Sequence, residues 1–243
     1  MGNDPITWKI QLSRRMILQT YAEAMNIVSK LSRILPTLLV LLSLSALCSA
    51  QEKKRIAYGI LLDDTGSMRS QLLIVLEIGK GVVHQVHDHG PVSLFDFASQ
   101  GLGRASRAVP TPRIEATQDE QLLNRTINNL YVQGGQTTLL DAVEFIGDSL
   151  DQESPDTNKV IILITDGEER SSRINQKELI QKLNEHKTSV FAIGLVQQLD
   201  KSRSKAVDLL KLITKETGGR VVFPKSERQN LQSLLAELAI PIQ

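Results

Sequence analysis

Long apolar runs alternate with helical stripes along most of this chain, and that alternation restricts its fold more than any other feature. Uninterrupted apolar runs occupy 56–62 (IAYGILL), 92–97 (VSLFDF), 160–164 (VIILI) and 189–195 (SVFAIGL), with a shorter one at 221–223. Runs of this length read as buried strands. Between them, apolar residues recur at three-to-four spacing: Leu72, Val75, Leu76, Gly79, Val83, Val86; Leu123, Ile127, Leu130; Leu139, Ala142, Val143, Ile146, Leu150. The pattern resumes at Ile180 and Leu183, at Ala206, Leu209, Leu210 and Ile213, and at Leu231, Leu234, Leu235 and Leu238. Each stripe predicts a helix with one buried face. Strands apolar on both faces, each followed by a helix, predict an α/β fold. Its sheet is doubly wound, mostly parallel and flanked by helices on both faces. One domain is expected over about 53–240. Residues 98–113 are the irregular part, with one short edge strand expected near Ala105–Val109.

The N-terminal fifth differs. Ile34 to Leu47 is a 14-residue apolar run without charge, preceded by Lys30 and Arg33 and followed by Cys48-Ser49-Ala50. A basic flank, a short apolar stretch and a small-residue exit describe a secretory signal. A spanning helix needs about 20 apolar residues. The expectation is therefore an N-terminal extension and signal peptide over 1–50, and an exported, periplasmic or extracellular protein. The alternative is a membrane anchor through 34–47. Lipidation at Cys48 is disfavoured by Leu47 before it. Met25 opens an ordinary signal, MNIVSKLSRILPTLL, and is read as the translation start.

Cys48 is the only cysteine, so the exported domain must rely on its core instead of disulfides. Removing 1–50 takes away five basic residues (Lys9, Arg14, Arg15, Lys30, Arg33) and two acidic ones (Asp4, Glu23). That leaves 23 basic against 25 acidic, a balance of −2. Without a basic stripe, nucleic acid is excluded as a partner.

In open parallel sheets, ligands gather beyond the strand C-termini where the winding reverses. Three loops fall there: Asp63-Asp64-Thr65-Gly66-Ser67 after the first strand, Gly134-Gly135-Gln136-Thr137-Thr138 before a helix, and Thr165-Asp166-Gly167-Glu168-Glu169 after VIILI. They offer carboxylates and hydroxyls, with no Cys or His. An all-oxygen set suits a hard cation: Mg²⁺ first, with Mn²⁺ or Ca²⁺ as alternatives. A plainer reading of Thr65 or Ser67 is a helix N-cap. Asp64 reads as a solvated loop charge, Glu168 and Glu169 as a solvated acidic rim, and Ser171-Ser172-Arg173 as loop. His84, His87 and His89 read as histidines at a helix C-terminus ended by Gly90 and Pro91. A second, imidazole-based metal site is the less favoured reading of them.

The three loops together resemble the von Willebrand factor type A domain and its metal-ion-dependent adhesion site, built from Asp-x-Ser-x-Ser, a distant Thr and a distant Asp. Asp63, Thr65 and Ser67 match the first motif, Thr137 in GGQTTLLDA the threonine, and Asp166 in ITDGEE the last aspartate. Thr65 stands where serine is usual, keeping the hydroxyl and adding a methyl. The resemblance covers nearly all of 53–240 and is nearest to the exported bacterial members. It implies a Rossmann-like fold and a metal site of Asp63, Thr65, Ser67, Thr137 and Asp166. It also implies one open coordination position that a protein partner fills with a carboxylate, as a non-enzymatic adhesion or interaction module does.

Two other functions compete. One is a scaffold or assembly factor in which the metal only holds the fold. The other is a metal-dependent hydrolase such as an aspartate-nucleophile phosphatase. That chemistry needs a second aspartate two positions after the nucleophile, where Thr65 (from Asp63) or Gly66 (from Asp64) stands. No Walker-type phosphate loop is present either.

Overall fold

The structure, a computed structural model, describes Met25 and residues 55–100, 107–225 and 229–242. The chain divides into two compact units, Met1–Lys53 and Lys54–Gln243. The proposed signal run 34–47 lies outside the described residues. Among those that are described, no helix is long and apolar enough to cross a membrane.

The second unit is built on one seven-stranded sheet in the order β4-β3-β2-β1-β5-β6-β7. The strands are β1 (Ile56–Leu62), β2 (Val92–Gln100), β3 (Arg107–Thr117), β4 (Gln136–Thr137), β5 (Asn158–Thr165), β6 (Thr188–Gly194) and β7 (Val221–Val222). All neighbours pair parallel except β2 and β3. Among the described residues of this unit, five helices lie between strands, α1 (Leu72–Val86), α2 (Glu120–Asn128), α3 (Leu139–Glu153), α4 (Gln176–Glu185) and α5 (Arg203–Glu216), and α6 (Leu231–Leu238) follows β7. The doubly wound α/β architecture expected from the apolar runs is the one found.

Strand alternation divides the core between two faces. Ile56, Tyr58, Ile60 and Leu62 of β1 pack with Val160, Ile162 and Ile164 of β5 beneath α1, α2 and α6. Ala57 and Leu61 join Ile161 and Leu163 on the other face, under α3, α4 and α5. At Gly59 helix α3 comes so close that an added Cβ would stand 2.7 Å from Ile146 Cγ2 and 3.0 Å from Leu150 Cδ1. Only a glycine lets strand and helix meet at that distance.

The described part of the segment expected to be irregular is regular: from Arg107, β3 runs for 11 residues antiparallel to β2, longer than the short edge strand expected near Ala105–Val109, of which residues 105 and 106 lie outside the described residues. Pro110 and Pro112 disguise it, because proline lacks the N–H that a ladder uses. They are tolerated because the outer neighbour β4 pairs only with Arg107 and Ala108.

Winding proceeds outward from β1 to β4 and then returns to β5 on the other side of β1. The reversal therefore lies between β1 and β5, and both strands end at it. Asp63 follows the end of β1, and its N–H donates to Ile164 O at 2.9 Å, extending the β1–β5 ladder by one bond.

Candidate metal centre

The first loop leaves β1 through a buried carboxylate. Asp63 Oδ1 accepts from Thr65 N–H (3.1 Å) and from Thr65 Oγ1 (2.7 Å). Asp63 Oδ2 accepts from Thr165 Oγ1 at 2.6 Å, across to the end of β5. Thr65 Oγ1 also lies 3.2 Å from Ser67 Oγ. Residues 66–68 then form one 3₁₀ turn before α1 begins. Neither hydroxyl caps a helix: Thr65 precedes the 3₁₀ turn without a side-chain cap bond, and Gln71 precedes α1 in the same way. The N-cap reading is thus replaced by a hydroxyl pair turned onto a carboxylate.

The third loop supplies the second carboxylate. Asp166 is buried, its Oδ1 accepts from Glu168 N–H at 2.9 Å, and its Oδ2 is buried without a hydrogen-bond partner. Gly167 makes the turn with φ +77°, and its N–H donates to Thr165 Oγ1 at 3.0 Å. Thr165 is the residue that sequence reasoning passed over. Its signal was a hydroxyl directly before the aspartate at a strand end.

Thr137 is buried in β4, and its carbonyl accepts from Arg170 N–H at 3.2 Å, which ties the second loop to the third. Asp63, Thr65, Ser67 and Thr165 thus form one hydrogen-bonded group. Asp166 adjoins it through Ser67 and the charge of Asp63, and Thr137 joins through the backbone.

Burial dominates the electrostatics. It raises Asp63, against the hydrogen bonds from Thr165 and Thr65 that favour its ionised form. It pushes Asp166 up to about 7, with the neighbouring Asp63 charge adding to the shift and Glu168 N–H and Ser67 opposing it. Two buried carboxylates that resist ionisation side by side are what a cation relieves. The donors are all oxygen, two of them carboxylates and three hydroxyls, and Asp166 Oδ2 has no competing partner. The residues fit a hard divalent ion. Among the described residues, here or elsewhere, no three His, Cys, Asp or Glu side chains group to hold a metal, so the hydroxyls of this site are needed to complete any donor set. His84 Nδ1 instead faces Glu120 Oε1 at 2.9 Å, and His87 Nε2 faces Asp88 Oδ1 at 3.2 Å.

Three neighbours differ from expectation. Asp64 is fully buried, not solvated: Oδ1 accepts from Phe97 N–H (3.2 Å) and Oδ2 from Gln133 Nε2 (3.2 Å). Burial and then the charge of Asp96 push it up to about 7. Glu168 is mostly buried between Arg170 Nη2 (2.7 Å) and Ser202 Oγ (3.0 Å). Glu169 is half-buried and accepts from Leu140 N–H (3.0 Å), Ser172 N–H (2.8 Å) and Ser172 Oγ (2.7 Å). These acidic residues and Ser172 hold loops in place; they do not form a solvated rim.

A family model described as von Willebrand factor type A domain matches residues 59–237. None of the curated proteins compared with the chain matches it. Among solved structures, an aerotolerance-related membrane protein from Bacteroides fragilis NCTC 9343 is similar at 17% identity, with a TM-score of 0.54 over 75% of this chain and 98% of its own. The pilus adhesin SpaC from Lactobacillus rhamnosus GG is similar at 16% identity and TM-score 0.58, over 77% of this chain and 30% of its own. Manganese-loaded TRAP protein from Plasmodium vivax is similar at 16% identity and TM-score 0.56, over 75% and 71%. At such identities the likeness shows the shared fold.

Proposed function

The chain belongs to the von Willebrand factor type A domain family, and from that premise we propose that it is a non-enzymatic, divalent-cation-dependent protein-binding module. Asp63, Thr65, Ser67, Thr137 and Asp166 hold Mg²⁺, with Mn²⁺ or Ca²⁺ as substitutes. A carboxylate from a protein partner completes the coordination, so that binding to the partner depends on the metal. The module spans 53–240 and follows an export signal within 1–50.

The observation behind this reading is the buried Oδ2 of Asp166, which has no hydrogen-bond partner and lies beside a second buried carboxylate. An orphaned buried acceptor is costly unless something satisfies it. The ion supplies charge compensation to Asp63 and Asp166 and a Lewis-acidic attachment point for an outside oxygen. The chain's own part is to present hydroxyls from the first and second loops (Thr65, Ser67 and Thr137) and carboxylates from the first and third (Asp63 and Asp166), with Asp63 fixed by the bonds around it. Similarity to an adhesin and to a manganese-loaded protein agrees with this reading.

Calorimetric titration with Mg²⁺ tests the metal half. One ion should bind per chain, and Asp63→Ala should abolish binding; a wild-type protein that takes up no Mg²⁺, Mn²⁺ or Ca²⁺ contradicts it. Pull-down with and without chelator tests the partner half. A protein retained by the wild type should be lost on chelation and with Thr137→Ala, and retention indifferent to both contradicts a metal-bridged contact.

A further inference from the structure

We propose that Asp64 and Glu169 are positioning residues that clamp the segment 131–141, so that Thr137 is held in place before any ion arrives. The idea rests on the metal reading above and adds a role for two acidic residues outside the proposed ligand set.

The segment needs holding. It contains Gly134-Gly135, with Gly135 at φ 111°, and adjacent glycines leave a chain free to sample many conformations. At its start, Gln133 is fixed to the first loop by backbone and side chain. Its N–H donates to Asp64 O at 2.7 Å, and its Nε2 donates to Asp64 Oδ2 at 3.2 Å and Asp96 Oδ2 at 3.3 Å. Those acceptors are themselves anchored: Asp64 Oδ1 takes the N–H of Phe97 on β2, and Asp96 Oδ2 accepts from Arg113 Nε on β3 at 2.6 Å. At its other end, Leu140 N–H donates to Glu169 Oε2, and Asp141 N–H donates to Ser172 Oγ at 3.2 Å. Asp141 Oδ1 answers by accepting from Arg173 N–H (2.7 Å) and Ile174 N–H (3.1 Å). Between the two ends, Thr137 O takes the N–H of Arg170.

Asp64 follows the ligand Asp63 directly, and Glu169 lies three residues after Asp166. The donors just described occupy both side chains. They act on the ion only by fixing the backbone that carries Thr137. Groups one layer out from a metal commonly set its affinity in this manner.

A rival account gives Asp64 the role of a distant negative charge that attracts the cation. Gln133→Ala separates the two, since it changes no charge and removes no proposed ligand. The experiment measures Mg²⁺ binding to the full chain by calorimetry for wild type, Gln133→Ala, Asp64→Ala and the double variant. It also follows amide hydrogen exchange over 131–138 in chelator. Gln133→Ala should weaken Mg²⁺ binding about tenfold and speed exchange over 131–138 without metal. The double variant should bind little worse than Asp64→Ala, because both remove one linkage. Unchanged exchange in chelator overturns the clamp, whatever the metal does. Faster exchange with unchanged Mg²⁺ affinity, or fully additive losses, overturns the positioning role in favour of fold support or of charge. Absence of Mg²⁺ binding by the wild type overturns the metal reading and the positioning role with it. The clamp is still judged by exchange alone. If Asp64→Ala fails to fold, Gln133→Ala decides.

Discussion

Thr165 Oγ1 donates to Asp63 Oδ2 at 2.6 Å, while Thr65 Oγ1 donates to Asp63 Oδ1 at 2.7 Å. One buried carboxylate is thereby held from two strand ends, one on each side of the point where the sheet reverses its winding. Thr165→Val keeps the shape and removes the hydroxyl, leaving a buried carboxylate oxygen unsatisfied. The metal-free protein should lose about 1–3 kcal/mol in urea denaturation, and Mg²⁺ binding should weaken as Asp63 loses its orientation.

At the N-terminal end of β5, the opposite end of that strand from Thr165, Lys159 is buried and its Nζ donates to Asp151 Oδ1 (2.6 Å), Pro155 O (3.1 Å) and His186 O (3.2 Å). Asp151→Asn leaves that ammonium without its counter-ion. The cost should be about 2 kcal/mol at pH 7, below the range for fully buried pairs because Asp151 is 34% exposed. The pH dependence has a definite sign. Hydrogen bonding from Lys159 holds the Asp151 carboxyl below its ordinary value, so the folded state favours the ionised form. The stabilisation is present above the unfolded value near 3.9 and is lost as pH falls through the folded one. Urea titrations at pH 7 and pH 3 should show the difference between wild type and Asp151→Asn shrinking at the lower pH.

Gly59→Ala separates fold from site. The new methyl would press on Ile146 and Leu150, and overpacking a tight core costs about 1–3 kcal/mol. Gly59 lies in mid-strand, away from the loops, so the variant should melt lower than wild type yet gain as much from Mg²⁺. A lost metal response would show that the loops depend on β1–α3 packing.

Several of these features are legible in sequence for local reasons. The runs at 56–62, 92–97, 160–164 and 189–195 coincide closely with β1, β2, β5 and β6, because strands buried on both faces have little freedom of composition. The hydroxyls and aspartates of the loops stand out because each follows an apolar run directly. What sequence reading misses depends on partners far along the chain. Asp64 next to Asp63 reads as a solvated charge, and only Phe97 N–H and Gln133, 33 and 69 residues away, make its burial tolerable. Glu169 reads as rim because its acceptor role is defined by Leu140, on another element. Strand β3 escapes notice because Pro110 and Pro112 signal irregular chain, and only the pairing with Phe97 and Phe95 shows otherwise.

Asp63 and Asp166 are both buried, and the cation proposed between them is what would make that burial tolerable. The most direct measurement is the melting temperature of wild type and Asp166→Ala in chelator and in millimolar Mg²⁺. An ion that binds only the folded state raises stability by RT ln(1 + [L]/Kd), about 2.7 kcal/mol at a hundredfold excess over Kd. Mg²⁺ should shift the wild type clearly upward and Asp166→Ala not at all, with that variant at least as stable as wild type in chelator because a buried charge has been removed. Identical melting of the wild type with and without metal, or an equal shift in Asp166→Ala, would contradict the proposed cation.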